Sequence, residues 1–306
     1  MDNFDRQYRL MIGTKGKNNA FEIGDGEYPL RISFSLDKAD TTTQNEAKIT
    51  VWNLSKEHRD MLENKDCTVV LSAGYGNNLA LAFCGNVTEA SSSIDGADMQ
   101  TEISVVDGLV EIRDTYISLS YAGVINTKKV IDDIANKMGV SLVFAPKITF
   151  KDLLNGYTFV GQAKAALNKV CKSSNLTWTL QNGVLQVKSH NQAISNRVYV
   201  LSAETGLLDT PKRIVKSDEE KTDSTSEENS KNNSSTKTTK KTTKKKSQKG
   251  WEVRYFMNLA IGVNDFVRLE SKIATGYYRV DSIKISGDNI SGDWTCTAEL
   301  MEVSVQ

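Results

Sequence analysis

The chain of 306 residues has no apolar run near the roughly 20 residues that a bilayer-crossing helix needs. Its opening, MDNFDRQYRLMIGTKG, starts acidic and never builds the apolar segment of a secretory signal. Together these absences predict a soluble chain made in a cytoplasm, with no membrane insertion. Proline occurs three times, each time between expected elements. The four cysteines, Cys67, Cys84, Cys171 and Cys296, lie far apart and form no C-x-x-C pair. Cys84, Cys171 and Cys296 sit among apolar neighbours, which predicts reduced core thiols rather than bridges or metal ligands. Basic and acidic residues number 38 each, so no overall field draws the chain to nucleic acid or anionic lipid.

Chemistry-bearing residues are also scarce. Only two histidines occur, His58 in a short polar stretch and His190 just after a strand, and no H-E-x-x-H motif accompanies them. Surface positions account for both. No G-x-S-x-G elbow, P-loop or dinucleotide fingerprint is present, and GTKGK near the start lacks both the spacing and the following helix of a phosphate loop. Glu89, Asp95 and Asp98 could form the carboxylate pair of a glycosidase. Their neighbours are small and polar, which fits a solvated turn better than an aromatic-lined cleft. In SGDNISGDW an EF-hand starting at Asp288 would find Glu299 at position twelve, but Ile290 at three and Gly292 at five break the ligand pattern. Glycine and Asx residues in that density read as a hairpin tip. No catalytic, cofactor-binding or metal residue is assigned, and no cofactor is expected.

What is abundant is period-two alternation. In PLRISFSLDKAD, Leu30, Ile32, Phe34 and Leu36 share one face, while Arg31, Ser33, Ser35 and Asp37 share the other. EAKITVWNLS, CTVVLSAGYG, LALAFCGNVTEASSS and MQTEISVVDG read as further strands, with a short helix in SKEHRDMLEN capped by Ser55. Past about Tyr121 the period becomes helical. Val130, Ile131, Ile134, Ala135 and Met138 form one stripe, and Ala163, Ala166, Leu167, Val170 and Cys171 another. Asn126 or Thr127 starts the first helix, Gly139 ends it, and Asn182-Gly183 predicts a type I′ hairpin turn. Strands return from RVYVLS to the end, with a slip of phase between Val280 and Ile283 that predicts a bulge.

The expected class is mainly β: two tube-like antiparallel β-barrel domains flanking a small two-helix α+β module. The boundaries are 1–118 for the first barrel, 119–197 for the module, and 198–215 with 250–306 for the second barrel. Residues 216–249, with no apolar or aromatic side chain, are expected to be a disordered insertion, acidic in front and basic from Lys237. Its lysines could touch nucleic acid or an acidic partner, or its opposite charges could simply offset each other in solvent.

GWEVRYFMN…GVNDFVRLES…GYYRVDSIKISGDNISGDWTCTAEL resembles the C-terminal domain of phage tail-hub (baseplate hub) proteins. LRISFSLDKAD…NEAKITVWNLS resembles the opening of that family, and VIDDIANKMGVSLVF with LNKVCKSSNLTWTLQNGVLQV its middle. The likeness covers nearly the whole chain except 216–249, which is not a usual feature of the family. It implies a structural virion-tail protein, not an enzyme, that forms a homotrimeric ring joining a sixfold tail tube to a threefold central spike. Implied partners are the tube protein, the spike protein, other baseplate or tail-tip proteins and, as a further candidate, the tape-measure protein; nucleic acid would meet it only in transit. The alternative is a cell-wall-binding or peptidoglycan-degrading tail-tip protein.

Overall fold

A computed structural model describes residues 5–14, 20–24, 29–64, 66–217 and 247–303. The chain opens with strands β1 (Arg6–Thr14), β2 (Ala20–Ile23), β3 (Ile32–Ala39) and β4 (Glu46–Trp52). Helix α1 (Lys56–Leu62) leads to β5 (Cys67–Tyr75), the long β6 (Asn78–Asp95) and β7 (Asp98–Val106). A short α2 (Leu109–Arg113) precedes β8 (Tyr116–Tyr121), β9 (Ile125–Asn126), α3 (Thr127–Met138), β10 (Ser141–Phe144) and β11 (Asp152–Leu153). Then come β12 (Tyr157–Gln162), α4 (Ala163–Ser173), β13 (Leu176–Gln181) and β14 (Val184–Ser189). The last third holds β15 (Val198–Leu201), β16 (Lys212–Ser217), β17 (Ser247–Phe256), β18 (Phe266–Glu270), β19 (Thr275–Asp288) and β20 (Trp294–Glu302).

Local signals act where the sequence put them. The Ser55 hydroxyl accepts the His58 N–H at 3.2 Å and starts α1. The Asn126 side chain accepts the Lys128 N–H at 2.9 Å to start α3, and Gly139 ends that helix at φ +69. Both helices bury the predicted stripes. Asn182 and Gly183 stand at φ 51 and 75, as a type I′ turn between β13 and β14 requires. The phase slip in β19 is a register shift between Val280 and Ser282. Strand β1 was not foreseen, although Tyr8, Leu10 and Ile12 alternate inward within it.

The two β regions do not stand apart. Among the described residues thirteen strands form one sheet, ordered β16-β17-β20-β19-β3-β4-β7-β6-β5-β1-β2, with β15 and β18 branching from β19. The joint is β3 against β19, where Ala39 to Ser33 pair with Ser282 to Asp288. Gly287 is needed there, because a Cβ on it would come within 2.3 Å of the Phe34 ring. Residues of both regions, from Tyr8 to Leu300, share one hydrophobic core. Two barrels each closing on itself were expected; among the described residues the ladder is instead open and continuous.

The middle module has its own core, from Ile112 to Val187, in which α3 and α4 cover the β13–β14 hairpin and the β8–β12 pair. The expected boundary at 118/119 falls inside β8, which pairs along its whole length with β12. The expected insertion also shifts at its ends. Lys216 and Ser217 belong to β16, and Ser247, Gln248 and Lys249 to β17, paired across one hairpin. The rest of that expectation, residues 218–246, lies outside the described residues.

Candidate functional site

The candidate site is a surface together with the joints that hold it, rather than a cleft. Following the register from β17 through β20, β19, β3, β4, β7 and β6, one face of the sheet carries Arg254, Thr297, Lys284, Asp37 and Glu46 in one row. The next row holds Thr295, Ser286, Ser35, Lys48, Ser104 and Glu89. Ser33, Thr50, Glu102 and Ser91 follow. The opposite face carries Val253, Ala298, Ile283, Ile285, Leu36, Ala47 and Val105, all buried, with Lys38 standing opposite Ile283. Strict alternation thus yields a wide wall, hydroxyl-rich and mixed in charge on one side and apolar on the other.

The tip SGDNISGDW closes the seam between first and last strands. One Asp288 carboxylate oxygen accepts the N–H groups of Ile290 and Ser291, each at 2.9 Å, and the other meets the Arg31 guanidinium at 2.9 Å. Burial raises the Asp288 pKa, but the Ser291 N–H, Arg31 and the Ile290 N–H outweigh it and hold it below the usual range. Asn289 acts as an extra rung: its amide oxygen accepts the Ile32 N–H at 2.9 Å, and its amide nitrogen donates to the Leu30 carbonyl at 3.2 Å. Arg6 donates to the carbonyls of Asp288 and Gly292. The segment that could have held a cation is a clasp.

A second seam joins three parts of the chain through buried charges. Lys188 on β14 and Arg279 on β19 both reach the Asp40 carboxylate at 2.7 Å, with side chains 1% and 3% exposed. Arg279 also bonds Asp281 at 2.5 Å and the Asn264 amide oxygen at 2.7 Å, while the Asn264 nitrogen donates to Gln186 of the module. Lys216 extends the chain of charges to Asp281 at 2.7 Å and to Glu299. Burial, added to by Arg279, lowers the Lys188 pKa despite the pull of Asp40. Burial works the other way on Asp281, but Arg279 and Lys216 prevail and lower it.

The third seam seats the module's hairpin on the first β region. Asp107 accepts the N–H groups of Asn182 and Gly183 at 2.5 and 3.0 Å. Buried Asn45 donates to the Leu180 carbonyl and the Gln181 side chain, each at 3.0 Å. Lys38 points its ammonium between the Ala82 carbonyl and the Asn182 side chain, 5.6 Å from the centre of the Phe83 ring. Burial pushes its pKa down to about 8 against the pull of Asp107. Burial likewise raises Asp107, although its hydrogen bonds and Lys38 act in the opposite direction.

The residues weighed for chemistry are dispersed. His58 stacks on Phe21 with ring centroids 3.8 Å apart, and His190 is exposed. Glu89, Asp95 and Asp98 are exposed on the β6–β7 hairpin, and Asp98 accepts from Asn53 at 2.9 Å. All four cysteines are free; Cys67, Cys171 and Cys296 are buried and Cys84 is half-buried. Among the described residues no cluster of three or more potential ligands forms a metal site, and no helix is long and apolar enough to cross a membrane. Sequence reasoning missed Asp40, Lys188 and Arg279. The available signal was charge inside an apolar context, clearest in YYRVD, where buried Tyr278 and Val280 on both sides of Arg279 leave the strand period no exposed slot.

This arrangement is a sheet scaffold with polar joints, and its fold is that of phage tail proteins. A tail protein of Neisseria meningitidis MC58 superimposes with a TM-score of 0.58 at 11% identity, covering 97% of each chain. The 43 kDa tail protein of prophage MuSo2 from Shewanella oneidensis gives 0.58 at 8% identity, covering 95% of this chain and 96% of its own. The E. coli c3393 protein, a type VI secretion component, gives 0.58 at 9% identity, covering 92% and 76%. At such identities the likeness is one of fold. Comparison with curated protein sequences gives no match. The chain belongs to the baseplate hub gp41 family, whose pattern it matches over residues 18–215. It is thus a structural component of a phage tail baseplate, and family membership favours that role over the tail-tip hydrolase alternative.

Proposed function

We propose that the chain is the ring-forming hub at the distal end of the tail tube, a homotrimer joining the sixfold tube to the threefold spike. The observation that carries this reading is the β3–β19 joint, which makes two strand-rich regions one wall with one polar and one buried face. Two similar regions per chain give six around a threefold ring, which is the way one subunit type can meet both symmetries. The polar face lines the bore. On it Glu89, Asp95, Glu102, Glu46, Asp37, Glu252 and Glu299 outnumber Lys48, Lys284, Arg254, Lys212 and Lys216, so passing phosphates would be weakly repelled rather than held. Contact with the tape-measure protein would occur at the same bore. Mass photometry of the chain alone and with its neighbouring tail proteins tests the reading. A trimer, alone or on meeting tube or spike protein, is expected; a strict monomer that ignores both refutes it.

A further inference from the structure

Charge is unevenly divided between the module and the wall. Of the chain's 38 basic and 38 acidic residues, positions 119–197 hold ten of the first, nine of them lysine, and only three of the second, with no glutamate. Lys188 is buried in a seam. The other eight lysines stand on α3, on α4 and on the segment between β10 and β11, and all but Lys164 are exposed. Helix stability does not account for them. The first turns of α3 and α4 hold Lys128, Lys129 and Lys164 and no acid, although the partial positive charge at a helix N-terminus favours acids there. Among the described residues only Lys129 of these eight has a salt-bridge partner, Asp133 at 2.6 Å.

Four of these lysines meet at one corner of the module. The Thr127 N–H donates to the Lys151 carbonyl at 2.9 Å and its hydroxyl accepts the Lys151 N–H at 3.1 Å, which brings Lys151 beside Lys128 and Lys129. The Ser174 hydroxyl donates to the same Thr127 oxygen at 3.0 Å, so the last turn of α4, with Lys172, arrives there too. The Lys151 ammonium reaches the Ser173 carbonyl at 3.4 Å. From this corner the two strands continue outward through the Asn126–Asp152 and Ile125–Leu153 rungs to Val124 and Leu154, which are 63% and 73% exposed. At about 3.3 Å per residue, this apolar pair lies roughly 10 Å beyond the lysines.

We propose that this corner, Val124 and Leu154 beside Lys128, Lys129, Lys151 and Lys172, docks a further baseplate protein through an acidic surface with an apolar centre. An apolar anchor within a charged rim is the anatomy of a protein interface, and the unpaired cations set the partner's sign. A lipid surface fits less well. Helices α3 and α4 bury their apolar stripes in the module's core, which leaves no apolar helix face to enter a lipid interface, and the exposed pair includes no aromatic anchor. Nucleic acid is disfavoured on other grounds. Lysine lacks the planar fork with which arginine grips phosphate, and Asp132 and Asp133 interrupt the row on α3. The module also meets the wall through Lys38, which stands on the face opposite the polar rows, so in a ring it lies behind the wall and away from the bore. Only that last point rests on the ring reading; the corner itself does not.

The test measures binding of the full-length chain to each purified tail protein of the same particle, to vesicles containing anionic lipid and to a DNA duplex, at low and at moderate salt. The expected result is one tail protein, other than the tube and spike proteins, that binds the parent and binds it less tightly as salt rises. Leu154→Asp should weaken that binding about tenfold or more, and Lys128→Glu/Lys172→Glu should weaken it and flatten its salt dependence. Lys128→Glu alone separates docking from folding: it puts an acid where α3 favours one, so Tm should hold or rise while affinity falls. No binding of the parent to any such protein, or binding that all three variants leave unchanged, overturns the proposal. A loss confined to the vesicles or the duplex also overturns it, and assigns the corner to lipid or nucleic acid. A parent that never forms rings but keeps its corner binding refutes the ring reading alone.

Discussion

Replacing Asp40 by alanine isolates the buried seam. Its carboxylate is the shared acceptor of Lys188 and Arg279, which are 1% and 3% exposed. The two cations are not equally dependent on it. Arg279 keeps Asp281 at 2.5 Å and the Asn264 oxygen at 2.7 Å, so the group left stranded is the Lys188 ammonium. Removing one partner of a buried pair costs about 3–5 kcal/mol, and with one cation still satisfied the expected loss is near 3 kcal/mol. Urea unfolding at neutral pH reads it as a lower midpoint at unchanged slope. The loss has a pH signature. A stranded lysine with a lowered folded-state pKa binds fewer protons folded than unfolded, so stability rises with pH and the deficit shrinks toward the ordinary lysine value of 10.5. Adding Lys188→Met should recover most of the loss, because a neutral side chain of similar length fills the same space. Lys48→Ala, which breaks the exposed pair with Glu102, is the reference and should cost about 0.5 kcal/mol or less. If Asp40→Ala costs no more than that reference, or the added Lys188→Met recovers nothing, the seam is not the joint described.

Two further outcomes are expected. Lys38, pushed down to about 8 from 10.5, is largely neutral in the folded chain and charged in the unfolded one between those values, so stability should rise with pH across that window; Lys38→Met should flatten the rise in urea melts at pH 8 and above, and an unchanged slope refutes the assignment. Gly108 stands at φ +61 with an added Cβ only 2.0 Å from Leu180 of the module, so Gly108→Ala should cost about 1–3 kcal/mol, seen as a lower Tm, and a neutral result contradicts that close approach.

The elements of this fold were legible because each carries a local signal: alternation in β3 and β20, apolar stripes in α3 and α4, caps at Ser55 and Asn126, the Asn182-Gly183 turn. Their association was not. Nothing in Ser33 to Ala39 says that the strand's far neighbour is Ser282 to Asp288, some 250 positions away, because both edges of β3 offer the same backbone groups. Two barrels and one shared sheet therefore predict the same alternation. The seam residues were hidden for a related reason. Lys188 lies one residue from the end of β14, a place where a charge ordinarily reaches solvent, and Arg279 stands between buried residues without any local sign of its partners; only the meeting of three distant segments supplies them. The clasp was read half correctly: Asp288 and Asn289 do shape a tip, but their contacts with Arg31, Ile32 and Leu30 come from the other end of the chain.

The use of polar seams between the two cores bears on what the scaffold needs. Apolar faces would join module to wall with more favourable burial, yet they tolerate sliding, since dispersion contacts have little direction. Lys188 and Arg279 can both reach Asp40 in only a narrow range of poses, and Asp107 receives Asn182 and Gly183 at a single turn geometry. We hypothesise that these seams set the module's angle on the wall more than they stabilise it. The Asp40→Ala/Lys188→Met chain separates the two roles, because its stability returns while its directional contacts do not. Small-angle scattering of that variant should show a broader distribution of module positions than the parent; an identical profile, with stability restored, would leave the orienting role to the Asp107 seam alone.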